Sequence, residues 1–402
     1  MEFVDGTVLS DIWFDLEVHD IESVVRQLVE LEARMMSASF PAGGSLYYSQ
    51  DVEKLDGKLG IPLEDDWFCV GPDVGVRMWI GKRSQLDVDR GPYTSVESAL
   101  VGPANKELEY LQRFGRPLLP FDRMKREHYQ YQEQSPSNHI DNLHRYLRTA
   151  PSLVPQDPSL HQFRIRHPDL QSSNVIVSRT TSGDLQLLSL LDWQHASIRP
   201  TCLHAGIPQR LQNYADPLSH HMVPPSLPDD FHAMDDVAQS HAKELYRRRL
   251  VHYHYVRNTE ACNPVHHAAL ADPAWTLRAR LFAHAGDRWD GETTALKAAL
   301  MDATTTWGTL STDPCPLAFE EEDVRRTWEL EAKLESSDET MEQCLAVMGC
   351  GSQGWVPNER YEVVKALCRK MKEDGLAGAT EEERAEIEAH WIFDDMDERP
   401  YS

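Results

Sequence analysis

Four polar side chains, His167, Asp169, Asn174 and Asp192, bracket two short apolar runs, Val175 to Val177 and Leu187 to Leu191. A carboxylate, an amide and a second carboxylate in that order suit phosphoryl transfer. One carboxylate orients a hydroxyl and accepts its proton, while the amide and the second carboxylate hold a hard cation on nucleotide phosphates. Magnesium is such a cation, taking one or two protein oxygens and completing its octahedron with water and phosphate oxygens. The competing reading is local, because Asp and Asn side chains also cap turns.

For these groups to meet, the chain between them must fold back on itself. The two apolar runs are separated by Thr180, Thr181, Ser182, Gly183 and Asp184, the pattern of a β-hairpin. If its turn is centred on Gly183, an antiparallel register sets Asn174 opposite Asp192 at the open end. Asp169 lies just ahead of the first strand, where a loop holds it near the same spot.

The segment H-P-D-L-Q-S-S-N, followed by L-L-D-W-Q, resembles the H-x-D-x-x-x-x-N catalytic loop and metal-binding Asp of the aminoglycoside phosphotransferase group, relatives of the protein kinases. G-S-L-Y-Y from Gly44, V-G-P around Gly71, D-R-G-P-Y from Asp89 and A-G-I-P-Q-R-L-Q-N-Y from Ala205 are similar to fungal members named for altered inheritance of mitochondria. The similarity runs to about Pro217 and more loosely through the helices beyond. It implies an α+β fold, the mainly helical large lobe of a kinase-like phosphotransferase with a catalytic hairpin. It further implies Asp169 as the catalytic residue, His167 as a support of its loop, and Asn174 and Asp192 as metal ligands. Mg2+ and ATP are the implied cofactors, and a small-molecule hydroxyl the implied acceptor. Trp193 and Gln194 stand where a protein kinase has Phe and Gly, which points away from protein acceptors.

By the same resemblance residues 1–18 form a hinge-like strand, with the backbone near Phe3 meeting an adenine ring, and residues 19–402 form the large lobe with a helical extension. In the family a smaller lobe precedes the hinge and supplies a flexible loop over the phosphates, a Lys and the Glu that positions it. The sequence ahead of Phe3 has no room for it. Downstream, Gly71 to Gly75 is not G-x-G-x-x-G, and Gly75 to Gly81-Lys82 has five intervening residues with Arg83 after the Lys, where a P-loop needs four and a Ser or Thr. The expectation is half of a phosphotransferase site. Two functions follow: an active phosphotransferase, or a noncatalytic relative that binds a ligand or a protein partner over apolar surface beside Phe3 and Phe14. The opening residues carry no basic, Ser-rich presequence and so no address of their own; the resemblance points to mitochondria, with the cytoplasm as the alternative.

Composition narrows the field. At 402 residues the chain buries an ample core without disulfides, and its hydrophobic fraction of 41% contains no run long enough for a membrane span. Lys and Arg number 40 against 65 Asp and Glu, a net charge of -25, which disfavours nucleic acid and anionic lipid. The seven Cys form no C-x-x-C pair and the 18 His form no H-E-x-x-H, so a zinc site is not indicated.

Helical spacing marks Val24, Val25, Leu28, Leu31 and Met35 as the inner face of a helix capped by Asp20. Further helices are expected over Ser95 to Phe114 with a division at Gly102-Pro103, over Phe121 to Gln134, Ser137 to Thr149 and Asp235 to Thr259, and through the C-terminal half. Within the fourth, Arg247, Arg248 and Arg249 are expected to pair with nearby carboxylates. The terminus is expected to fray after Met396.

Overall fold

The structure, a computed structural model, describes residues 4–52, 60–350 and 356–402. It is an α+β chain. Strands β1 (Thr7–Val8), β2 (Ser45–Tyr48), β3 (Ile61–Pro62), β4 (Phe68–Gly71), β5 (Phe163–Ile165), β6 (Val175–Arg179), β7 (Leu185–Leu190) and β8 (Ile198–Pro200) form antiparallel sheets ordered β1-β6-β7, β2-β4-β3 and β5-β8. The principal helices are α1 (Val18–Ser37), α2 (Val96–Phe114), α3 (Pro136–Thr149), α4 (Asp236–Cys262), α5 (Pro264–Ala271), α6 (Trp275–Gly286), α7 (Thr294–Thr305) and α8 (Glu321–Met348). Two more, α9 (Tyr361–Gly378) and α10 (Glu381–His390), follow. None of the described helices is long and apolar enough to cross a membrane.

The chain divides into two compact units. Unit 1 comprises Met1–Trp79, Asp89–Gly102 and Ser152–Ala279. Its core joins Ile21, Val24, Val25, Leu28 and Val29 of α1 to Val175, Val177 and Leu185 of the hairpin and to Leu250, Val251 and Tyr255 of α4. The inner face of α1 therefore runs through Val29, Glu32 and Met36, with Leu31 and Met35 only half-buried at its margin. Asp20 does not cap the helix: α1 begins two residues earlier, behind Glu17, and Asp20 lies buried in its first turn, accepting from Arg179 Nη2 at 3.0 Å.

Gln27 of α1 reaches the outer margin of β7. Its Nε2 donates to the Leu185 carbonyl at 2.8 Å and its Oε1 accepts from the Leu187 amide at 2.9 Å. These are the bonds a neighbouring strand would make.

Gly102 and Pro103 do not break α2, which continues to Phe114. Gly102 is required because the Tyr93 hydroxyl packs where a Cβ would stand. The arginine triplet on α4 divides its roles. Arg248 pairs with Glu244 one turn away, Arg249 reaches Asp216 at 2.6 Å, and Arg247 lies over the rings of Trp13 and Phe14.

Unit 2 comprises Ile80–Val88, Pro103–Pro151 and Arg280–Ser402. At its centre the Glu107 carboxylate accepts from Arg83 Nε at 2.7 Å, from Lys106 Nζ at 2.9 Å and from the Trp289 amide at 2.6 Å, all three charged side chains being fully buried. The expected helix over Phe121 to Gln134 is instead a 3-10 segment, Arg123–Tyr129, ended by Gln130 and Tyr131 in left-handed conformation. The terminus does not fray: Tyr401 is buried, its hydroxyl donating to the Leu119 carbonyl at 2.9 Å and its ring meeting Phe121 edge-on.

Asp290 sets a pH dependence for this unit. Burial, then the neighbouring Glu292, pushes its carboxyl up to about 7 against Lys125, Arg288 and the Glu292 amide. A carboxyl held above its unfolded value binds its proton more tightly in the folded state, so stability falls as pH rises from about 4 to about 7. Asp290→Asn is expected to leave stability at pH 4 nearly unchanged and to raise it at pH 8 by on the order of 2 kcal/mol. Urea midpoints at the two pH values check this; equal shifts at both would contradict it.

Candidate active site

The segment leading to the hairpin is pinned from both ends. Arg166, immediately before His167, is locked among Glu32 Oε1 (2.7 Å), the Tyr255 hydroxyl (3.0 Å) and the His204 carbonyl (2.7 Å). Leu170 then drops into the core of unit 1. Between these anchors His167 is buried, its Nδ1 accepting from the Asp169 amide at 3.2 Å, so its Nε2 carries the proton and donates to the Leu191 carbonyl at 2.7 Å. One imidazole thereby ties the Asp169 loop to the residue before Asp192.

Asp169 is exposed, and its Oδ2 accepts from Gln171 Nε2 at 2.6 Å and from Asn174 Nδ2 at 3.2 Å. Asn174 Nδ2 also donates to the Asp169 carbonyl at 2.9 Å. The Asn174 nitrogen is thus engaged, while its Oδ1 accepts from no protein donor among the described residues. The Leu191 amide donates to the Asn174 carbonyl at 2.8 Å, which brings the chain entering Asp192 against Asn174.

The hairpin stands where the sequence places it, but its register differs. Thr180 N–H donates to the Asp184 carbonyl and Gly183 takes φ +93°, so the turn centres on Ser182 rather than Gly183. A bulge between Ile176 and Val177 then shifts the pairing, with Val177 opposite Leu187 but Val175 opposite Leu190. Asn174 therefore faces Leu191, and Asp192 lies one residue past the pair. Asp192 adopts φ +62°, a left-handed conformation that Asp tolerates better than most side chains, and it is exposed. His195 repeats that conformation at φ +65°. Two such residues in four mark a sharply shaped exit from β7.

Phe3 lies outside the described residues. Further along the chain, β1 pairs with β6 through Thr7 to Val177 and Val8 to Ile176, which sets these two residues beside the hairpin. Residues that sequence reasoning missed are Gln171, Arg166 and Glu32. Gln171 lay inside the quoted motif, Arg166 directly before it, and Glu32 was hidden on the apolar face of α1.

The chain is similar to a subtelomeric hrmA-associated cluster protein of Aspergillus fumigatus, 27% identical over 436 aligned positions that cover 99% of this chain and 82% of that protein. It is also similar to the proteins named altered inheritance of mitochondria protein 9, mitochondrial, of Zygosaccharomyces rouxii (24% identical, 91% of this chain, 61% of that protein) and Saccharomyces cerevisiae (22% identical, 90% and 60%). The chain spans about three-fifths of the length of these yeast relatives. No family model matches it, and no solved structure does.

Proposed function

We propose that the open end of the β6-β7 hairpin is a phosphoryl-transfer site, in which the chain binds MgATP and directs its γ-phosphate to a small-molecule hydroxyl. The observation that supports this reading is the bonding of Asp169, Asn174 and His167 into one loop at the entry to Asp192. The Asn174 carbonyl oxygen and the Asp192 carboxylate are hard oxygen donors on exposed or half-buried residues, a set that fits magnesium with room for water and phosphate. When bound, the cation neutralises charge between the phosphates. The chain supplies the rest. Gln171 and Asn174 occupy Oδ2 of Asp169, which leaves Oδ1 to accept the proton of the acceptor hydroxyl. His167 holds the loop against the exit of β7 by its bond to Leu191, and the Arg166–Glu32 pair fixes where that loop begins.

Asp192→Ala is expected to weaken magnesium-dependent ATP binding by about tenfold or more, with ATP alone unaffected, in isothermal titration of the full chain. Equal binding of MgATP by variant and parent sinks the proposal. The yeast relatives' names support a mitochondrial setting for the same activity. A second reading, a noncatalytic relative that docks a protein partner, draws support from Phe14, 74% exposed beside the Arg247 guanidinium. MgATP binding without transfer to water or any added alcohol favours it.

A further inference from the structure

We infer that a polar cavity inside unit 2 is a binding site for a neutral, polyhydroxylated small molecule, a sugar or polyol. The cavity has a volume of about 420 Å³, within the range of small-molecule sites, and its wall is built by α3, the start of α7 and the first turns of α8. This inference rests on unit 2 alone and does not depend on the phosphotransfer reading.

The wall is polar and held in fixed directions. Asn142, only 1% exposed, donates from Nδ2 to Thr293 Oγ1 at 3.1 Å and accepts at Oδ1 from Arg145 Nη1 at 2.7 Å. Arg145 also lies over the ring of Phe319, its guanidinium carbon 5.0 Å from the centroid. The Tyr129 hydroxyl, also in the wall, is shared between Glu292 Oε2 at 3.1 Å and Thr294 Oγ1 at 2.8 Å. Behind the wall, buried His139 meets the Thr293 hydroxyl through Nδ1 at 2.7 Å.

The charges decide the ligand class. Arg145, Lys297 and Arg326 face the cavity together with Asp141, Glu292 and Asp323, so cations and carboxylates balance. Lys297 is spent on Asp323 at 2.5 Å. An anion entering here meets three carboxylates and a cation meets three basic groups, whereas a neutral ligand avoids both repulsions. A hydroxyl group donates and accepts at once, which suits donors such as Arg145 beside acceptors such as Glu292. Leu330 and Trp289 supply the apolar part of the wall for the C–H faces of the same molecule.

The test uses the full chain and isothermal titration with glucose, myo-inositol and trehalose, with inorganic phosphate and glutamate in parallel. At least one neutral probe is expected to bind, and Asn138→Trp, an indole placed on an exposed position of α3 at the cavity, is expected to weaken it by about tenfold or more without changing thermal unfolding. Glu292→Gln provides a second variant, expected to weaken the same probe severalfold should the first fail to fold. Binding of phosphate or glutamate in preference to the neutral probes, binding of none of the five, or neutral binding unchanged by both substitutions overturns the inference.

Discussion

Glu107→Ala is expected to destabilise unit 2 by about 3–5 kcal/mol, the loss typical of removing one partner from a buried ion cluster. The Glu107 carboxylate is what Arg83, Lys106 and the Trp289 amide share in a place closed to water, and alanine offers none of them an acceptor. Most of the loss comes from two buried cations deprived of their counter-charge, not from a favourable pair foregone. Glu107→Gln, which keeps an oxygen for the amide and the shape of the side chain, is expected to cost less. Burial pushes the Glu107 carboxyl up, but Lys106 and Arg83 outweigh it and hold it at about 2. For a carboxyl depressed in this way the contribution is full above about pH 4.5 and is lost as pH falls toward 2. The difference between parent and alanine variant should therefore narrow in acid. Hydrogen exchange of the α2 and α7 amides measures it; a loss below about 1 kcal/mol at neutral pH would remove the cluster from any central role.

Glu32→Ala is expected to cost unit 1 a similar amount, about 3–5 kcal/mol, and to reach the candidate active site as well. Glu32 holds Arg166 by one oxygen and the Tyr255 hydroxyl, at 2.5 Å, by the other, so α1, α4 and the residue before His167 meet at one carboxylate. Without it the guanidinium keeps, among the described residues, the His204 carbonyl and Tyr255 as partners. The His167–Leu191 bond then begins from a loosened anchor. The double replacement Glu32→Met with Arg166→Met removes both charges and is expected to recover most of the stability while leaving the loop less well fixed. Denaturant midpoints give the first quantity, and MgATP titration of the double variant gives the second. Full stability in the single variant contradicts this account.

Much of unit 1 is legible in the sequence because its signals are local. The Val175–Val177 and Leu187–Leu191 runs about a Gly-containing turn give the hairpin, and the H-P-D-L-Q-S-S-N order brings His167, Asp169 and Asn174 into one loop. Register is less legible. A register counted out from a turn at Gly183 assumes an unbroken ladder, and both the turn centred on Ser182 and the bulge between Ile176 and Val177 add offsets that no residue type announces. Burial of charge is illegible for a related reason. Hydrophobic periodicity follows apolar side chains, so Glu32 on the inner face of α1 reads as an interruption, and Lys106-Glu107 on α2 reads as a solvated pair. Their partners, Arg166 and Arg83, lie 134 and 24 residues away in sequence, and only the tertiary fold brings them within bonding distance. The docked Tyr401 escapes notice likewise, because a tyrosine beside proline at a charged terminus carries no periodic context.

The Gln27 amide of α1 lies along the outer margin of β7. Strands at the rim of a sheet are templates for adhesion to other chains. At Leu185 and Leu187 that template is occupied by a single glutamine borrowed from a helix, so foreign backbone finds no docking register there. Two hydrogen bonds from a helix thus cover that flank of the β6-β7 hairpin.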